Sequence, residues 1–353
     1  MRSTVPSRTL RTSHDLAAAG LIPPDRAAAL EQVAAQYAVA ITPAMAELID
    51  PCDPHDPIAR QLVPQTAELE VLPQERADPI GDDAHSPVEG VVHRYPDRVL
   101  LKLTHTCAVY CRFCFRREMV GPEGLGNLSP EAFETALAYI AERPQIWEVI
   151  LTGGDPLVLS PRRLREAMAR LSAIAHVKVV RFHTRIPVVA PELVTDELVA
   201  ALKSPTQAVY VALHANHARE LSPAARSACA KMVDAGVPML GQSVLIRGVN
   251  DDPESLRDLM RALVETRIKP YYLHHGDLAP GTSHLRTSVA EGQALMRALR
   301  GDVSGLCQPT YVLDIPEGHG KAPIGPVYLG AEDGDAWVES PWGTRHAYPP
   351  KDS

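Results

Sequence analysis

The chain has 353 residues, 45% of them hydrophobic, and a formal net charge of -8. That is enough apolar material for one large core with an appendage. No Lys/Arg block dominates any segment, so charge gives no reason to expect a nucleic acid or an acidic membrane as partner, and a small molecule is the default ligand. Met1 to Leu10 is polar and lacks an apolar signal core, and no apolar run approaches the roughly 18 residues of a membrane helix, so cytoplasm is the expected compartment. Cys52, Cys229 and Cys307 lie far apart, which argues against a disulfide framework and for a reducing environment, with all three read as core residues.

In chain order, residues 1–90 carry short helical patterns such as Asp25 to Gln36, then a Pro/Asp-rich stretch through Pro73, Pro79 and Pro87. This reads as an N-terminal helical cap and linker. From Arg98 onward, short β-branched runs alternate with amphipathic helical patterns: Val99 to Leu103, Glu148 to Thr152, Val177 to Phe182, Ala208 to Leu213, Met239 to Ile246 and Pro270 to His274. Ser129-Pro130, Ser160-Pro161, Ser222-Pro223 and Asp252-Pro253 each set a capping oxygen before a proline at the first helical position. Such βα repeats with buried strands predict a parallel α/β sheet across residues 91–300, followed by a segment at 301–353. Periodicity alone does not separate an open sheet from a barrel.

Three constellations carry chemistry. Cys107, Cys111 and Cys114 form a C-x3-C-x2-C loop after the first strand. Three thiolates can hold a [4Fe-4S] cubane and leave one iron open, since a closed cluster takes four. A Cys3His zinc site with His105, or simple burial, are the bland alternatives. Gly153-Gly154-Asp155-Pro156 follows the apolar strand Val149 to Thr152, where glycines permit close backbone approach to a ligand and a carboxylate can accept from an amine. Taken alone it is also an ordinary turn. Lys321 sits in Asp314-Ile-Pro-Glu-Gly-His-Gly-Lys321, a glycine-rich setting open to a flat cofactor ring, although a Gly-Lys pair by itself is ordinarily a solvated loop.

The run Thr104 to Arg117 resembles the radical S-adenosylmethionine (SAM) superfamily, and the flanking His93-Arg-Tyr-Pro-Asp-Arg98 with Arg116 and Arg117 resembles its lysine 2,3-aminomutase family. The resemblance implies a partial (βα)6 barrel, with Cys107, Cys111 and Cys114 on the cluster and SAM on the open iron. It puts Gly153, Gly154, Asp155 and Gln242 against SAM, and makes Lys321 the lysine that carries pyridoxal phosphate (PLP). Asp314 and Lys321 keep the family's separation. Arg94, Tyr95 and Arg98 correspond to residues around the PLP, their plain alternative being surface pairing with Asp97 and its neighbours. Arg116 would hold a substrate carboxylate, and Asp277 and Asp314 an ε-ammonium, which favours lysine over glutamate. The implied reaction moves the amino group of L-lysine from C2 to C3 after a 5'-deoxyadenosyl radical takes a hydrogen from C3. It needs an electron donor such as flavodoxin or ferredoxin, and self-association is left open.

Two features depart from the family. No cysteine follows Cys307, so the C-terminal zinc segment of the larger aminomutases is not expected, and His274 stands where an aromatic is expected near PLP. The short tail also resembles the paralogue that makes β-lysine for elongation factor P. The remaining alternatives are an aminomutase for another amino acid and a non-catalytic iron–sulfur or zinc protein.

Overall fold

The computed structural model describes residues 6–121, 126–332 and 335–350. Four short helices open the chain: α1 (Ser13–Ala18), α2 (Ala27–Gln36), α3 (Pro43–Leu48) and α4 (Pro57–Leu62). Thr12, Thr42 and Asp56 cap α1, α3 and α4 by accepting backbone N–H bonds, which satisfies donors that a short helix otherwise leaves to water. In α2 the buried Leu30 and Val33 are three residues apart, so one face packs inward.

A hairpin of β1 (Val91–Tyr95) and β2 (Arg98–Thr104) leads into the central sheet. It continues through α5 (Pro130–Ala141), β3 (Glu148–Gly153), α6 (Pro161–Ser172), β4 (Val179–Thr184), α7 (Ile186–Val189), α8 (Asp196–Leu202) and β5 (Ala208–His214). Next come α9 (Pro223–Asp234), β6 (Met239–Val244), α10 (Pro253–Glu265), β7 (Ile268–His274), α11 (Val289–Asp302), β8 (Thr310–Ile315) and β9 (Gly320–Pro323). The strands lie in chain order, β2 to β8 pair parallel, and β1 and β9 flank them antiparallel. The sheet curls until its edges meet through side chains: the backbone N–H of Lys321 on β9 donates to the Tyr95 hydroxyl on β1 at 2.7 Å. This is the expected nearly closed barrel. All four predicted Ser-Pro and Asp-Pro caps accept from first-turn N–H groups.

The differences from the sequence reading have local causes. The run read from Val177 starts two residues later, at Val179 in β4, and the run from Met239 stops at Val244 in β6. Strands β1 and β9 were not predicted, because Val-Val-His-Arg-Tyr turns polar and Gly-Lys-Ala-Pro combines two poor strand formers, which an edge tolerates. Strand β8 was hidden inside the C-terminal segment, and so was a small antiparallel sheet of β10 (Leu329–Glu332), β11 (Asp335–Glu339) and β12 (Arg345–Tyr348). Cys229 and Cys307 are buried as expected, whereas Cys52 is exposed in a turn rather than in the core.

One continuous core joins Leu30, Val33 and Met45 of the N-terminal helices to barrel residues such as Leu101, Leu151 and Phe182. Inside it stands a fully buried carboxylate, Glu68, which takes charge-assisted bonds from both Arg112 and Arg117. Removing one partner of such a cluster leaves uncompensated buried charge. Glu68→Ala is therefore expected to destabilise the protein by about 3–5 kcal/mol, read as a lowered denaturant midpoint. A midpoint equal to wild type would show that the cluster contributes nothing to folding.

Candidate active site

The cysteine loop is seated on the end of β3 by backbone contact. The Gly154 N–H donates to the Thr104 carbonyl at 2.6 Å, and the Asp155 N–H to that of Thr106 at 2.9 Å. A Cβ on Gly154 would come within 2.3 Å of the Thr106 oxygen, and one on Gly153, whose φ is +109°, within 2.5 Å of the Thr104 oxygen. The two glycines are thus needed for the approach of the cysteine loop itself, whereas the sequence reading attributed them to ligand approach. Arg112, between Cys111 and Cys114, turns away into the Glu68 cluster, and its N–H donates to the Gln61 carbonyl at 2.8 Å. This fixes the loop with its thiols toward the barrel interior.

Cys107, Cys111 and Cys114 jointly line one cavity of about 550 Å³. Burial pushes the Cys107 thiol well above its usual range, with the Asp155 charge adding to it, and pushes Cys114 up to about 11. Thiolates there need a positive partner, which iron supplies. The Arg185 Nη1 already donates to the Cys111 sulfur at 2.9 Å, while its Nη2 binds Gln61 and Glu220. Among the described residues no group of three His, Cys, Asp or Glu side chains is arranged to hold a single metal ion. Cubane thiolates, in contrast, each take a separate iron, and the donor set fits that chemistry.

The same cavity collects the site residues that the resemblance implies: Gly153, Gly154, Asp155 and Gln242 beside the cysteines, then Arg94, Tyr95, Arg98, Arg116, Asp277, Asp314 and Lys321, whereas His105 and Arg117 lie outside it. The seven-residue separation of Asp314 and Lys321 has a simple basis, since the two are directly opposite across the β8–β9 hairpin and their side chains form an ion pair. Burial alone would raise Asp314, but its contacts with His274 and Lys321 hold its carboxyl well below the usual range. Asp277 has no ion pair or hydrogen bond on its carboxylate among the described residues, and burial, then the Asp314 charge, push it up to about 7.

Other side chains are committed differently from expectation. Asp155 accepts from the Thr184 hydroxyl, the Arg185 N–H and the Leu157 N–H, so its carboxylate ties β3 to β4 and has few lone pairs left for an amine. Arg116 is paired with Asp82 at 2.7 Å, and Asp82 also takes Arg94 at 2.9 Å. Arg98 stacks over the Tyr95 ring at 3.8 Å and pairs with Asp97, the plain alternative raised from sequence, while still facing the cavity. The Arg94 Nε is buried without an acceptor, as is the Arg185 Nε, while the Arg94 Nη atoms are turned to Asp82 and Asp314.

The sequence reading missed Asp82, Arg181, His183, Arg185 and His214, all lining the cavity. A usable signal existed for two of them: His183 and His214 are histidines near the C-terminal ends of predicted strands, where ligands of parallel sheets bind. Asp82 stands in a loop with no such signal. Gly154→Ala is expected to lift the loop from its seat, so that iron and sulfide bound after anaerobic reconstitution fall well below wild type. Gly305→Ala, where a Cβ meets nothing within 4 Å, should load fully. Full loading of Gly154→Ala would contradict this account of the seat.

Comparison with known proteins agrees with the geometry. The pattern of the Radical SAM superfamily matches residues 101–260. L-lysine 2,3-aminomutase of Clostridium subterminale is 43% identical over 84% of this chain and 71% of its own length. L-lysine 2,3-aminomutase of Escherichia coli K12 is 36% identical over 82% of this chain and 83% of its own. Glutamate 2,3-aminomutase of Clostridioides difficile is 38% identical over 89% and 74%. With its three cysteines, its parallel barrel and this degree of identity, the chain belongs to the lysine 2,3-aminomutase family, radical SAM isomerases that use a [4Fe-4S] cluster and S-adenosylmethionine.

Proposed function

We propose that the protein is a PLP-dependent aminomutase that converts L-lysine to β-lysine. The observation that carries the substrate choice is Asp277, an unpaired carboxylate beside a second one, Asp314. Desolvated negative charge of this kind favours a bound cation and repels an anion. A lysine ε-ammonium suits it, whereas the side chain of glutamate would add a third carboxylate at the same end. Arg116 keeps its pairing with Asp82 through Nε and Nη2, which leaves Nη1 for the α-carboxylate of a substrate.

Cys107, Cys111 and Cys114 would hold the cluster, with SAM beside it near Gly153, Gly154 and Gln242. Lys321 would carry PLP, with Arg94, Tyr95 and Arg98 around it and the guanidinium groups suited to its phosphate. When bound, the cluster and SAM supply a carbon-centred radical, and PLP supplies a π-system that spreads the unpaired electron during migration. The chain's own contribution is placement. Asp277 and Asp314 anchor the ammonium, Arg116 anchors the carboxylate, and together they fix which carbon of the chain faces the radical source. The barrel wall keeps bulk water and competing hydrogen donors away. An external one-electron donor such as flavodoxin or ferredoxin belongs to the same proposal, as does a division of labour between an N-terminal cap at 1–90, a barrel at 91–300 and a PLP-lysine segment at 301–353.

The test is anaerobic turnover of reconstituted protein with SAM, PLP, dithionite and L-lysine. Wild type should form β-lysine, Lys321→Ala should not, and Asp277→Asn should raise the KM for lysine by about 30-fold or more, the equivalent of about 2 kcal/mol for an unmatched buried charge. SAM cleavage without conversion of lysine would contradict the substrate assignment. The pH dependence is signed. Protonated Asp277 has no charge for the ammonium, so kcat/KM should climb as pH rises toward about 7 and then level. That climb should vanish in Asp277→Asn; an unchanged profile would remove Asp277 from substrate binding.

A further inference from the structure

One side-chain chain runs across the barrel interior from β9 to β4. Lys321 Nζ lies 3.4 Å from His274 Nδ1, His274 Nε2 lies 3.2 Å from Gln242 Oε1, and Gln242 Nε2 lies 3.2 Å from His183 Nε2. Only one polarity satisfies every link. The amide of Gln242 donates through nitrogen, so His183 Nε2 must be a bare acceptor. Its oxygen accepts, so His274 must carry its proton on Nε2. His274 Nδ1 is then a free lone pair aimed at the Lys321 ammonium. Both histidines are neutral in this arrangement, and burial lowers both, His183 strongly.

We propose that His274 is the proton acceptor for Lys321, the group that frees its amine to take up PLP. This rests on the reading of Lys321 as the PLP lysine. In the step, an N–H bond of the Lys321 ammonium breaks and an N–H bond forms at His274 Nδ1. The electron pair left on Nζ bonds the aldehyde carbon of PLP. The aldehyde oxygen leaves as water with the two hydrogens still on the nitrogen.

The surroundings limit the electrostatic cost of moving the proton. Charged and titratable groups around His274 are Asp314 and Lys321 from β8 and β9, His183 and His214 from β4 and β5, and Tyr272 on its own strand. Asp314 Oδ2 pairs with Lys321 Nζ and lies 3.6 Å from His274 Nδ1. Passing the proton to His274 therefore keeps one cation beside the same carboxylate, and no buried charge is created or stranded. Burial would raise Asp314, but it remains the anion throughout, held low by whichever of Lys321 and His274 carries the proton beside it. Burial keeps His274 uncharged beforehand, so its lone pair is available. An aromatic without a ring nitrogen at this position could pack on a cofactor but could not take the proton.

The experiment follows PLP attachment directly. Cluster-reconstituted protein stripped of PLP is mixed with PLP alone, quenched at intervals with borohydride, and the Lys321 peptide is weighed. Wild type should label Lys321 quickly. His274→Phe should reach the same end point about 100-fold more slowly, the low end of what a positioned proton acceptor contributes, and added imidazole should speed it. His274→Asn keeps a hydrogen-bonding group but cannot take a proton, and should be as slow; it also serves if the phenylalanine variant does not fold. Wild-type rates in either variant would overturn the proposal and, for His274→Asn, reduce His274 to a positioning role. A wild type labelled elsewhere than Lys321 would instead overturn the assignment of the PLP lysine.

Discussion

A cavity that draws Asp82, Asp155, Asp277 and Asp314 together with Arg94, Arg116, Arg185 and Lys321 into a barrel interior is constrained above all by charge pairing. In a low-dielectric interior each charge needs a partner of opposite sign or several hydrogen bonds. The pairing found here is dense. Asp82 bridges Arg94 and Arg116, Glu220 takes Arg185, Thr184 and Arg185 satisfy Asp155, and Asp314 takes Lys321. Behind the cysteine loop, Glu68 plays the same part for Arg112 and Arg117. The places where pairing is incomplete are then informative: Cys107, Cys114 and Asp277, none of which has an ion-pair partner among the described residues, line the space where cofactors and substrate would supply what is missing.

The same constraint links the N-terminal helices to the chemistry. Gln61, at the end of α4, accepts from both Arg185 and Asn216 and donates to Glu220, while its carbonyl receives the Arg112 N–H. A segment that reads from sequence as a cap therefore braces the cysteine loop, and does so through polar contacts that hydrophobic patterning does not register.

Much of the architecture was legible because it is local. Four helix starts could be placed from a Ser or Asp before a proline, and the six central strands from β-branched runs, since both signals act within a few residues. The cysteines were legible because one loop carries all three proposed ligands. What was not legible depends on sheet order. His183 and His214 sit on strands next to that of Gln242, and only parallel pairing of β4, β5 and β6 brings them to one face with it. The Asp314–Lys321 separation was visible as a spacing, yet its meaning as a cross-strand pair needed β9, an edge strand with a glycine and a proline. The reason for Gly153 and Gly154 was likewise out of reach, because the atoms that exclude a Cβ belong to residues some fifty positions earlier.

A charge arrangement of this kind suits a radical PLP enzyme that moves an amino group along a lysine chain. The most direct measurement supplies L-lysine labelled with 15N at the α-amino group, and in parallel labelled L-glutamate, to anaerobically reconstituted protein, and locates the label in the product. The account predicts 15N on C3 of β-lysine and unchanged glutamate. Label remaining on C2 of lysine while SAM is consumed, or migration in glutamate instead, would contradict it.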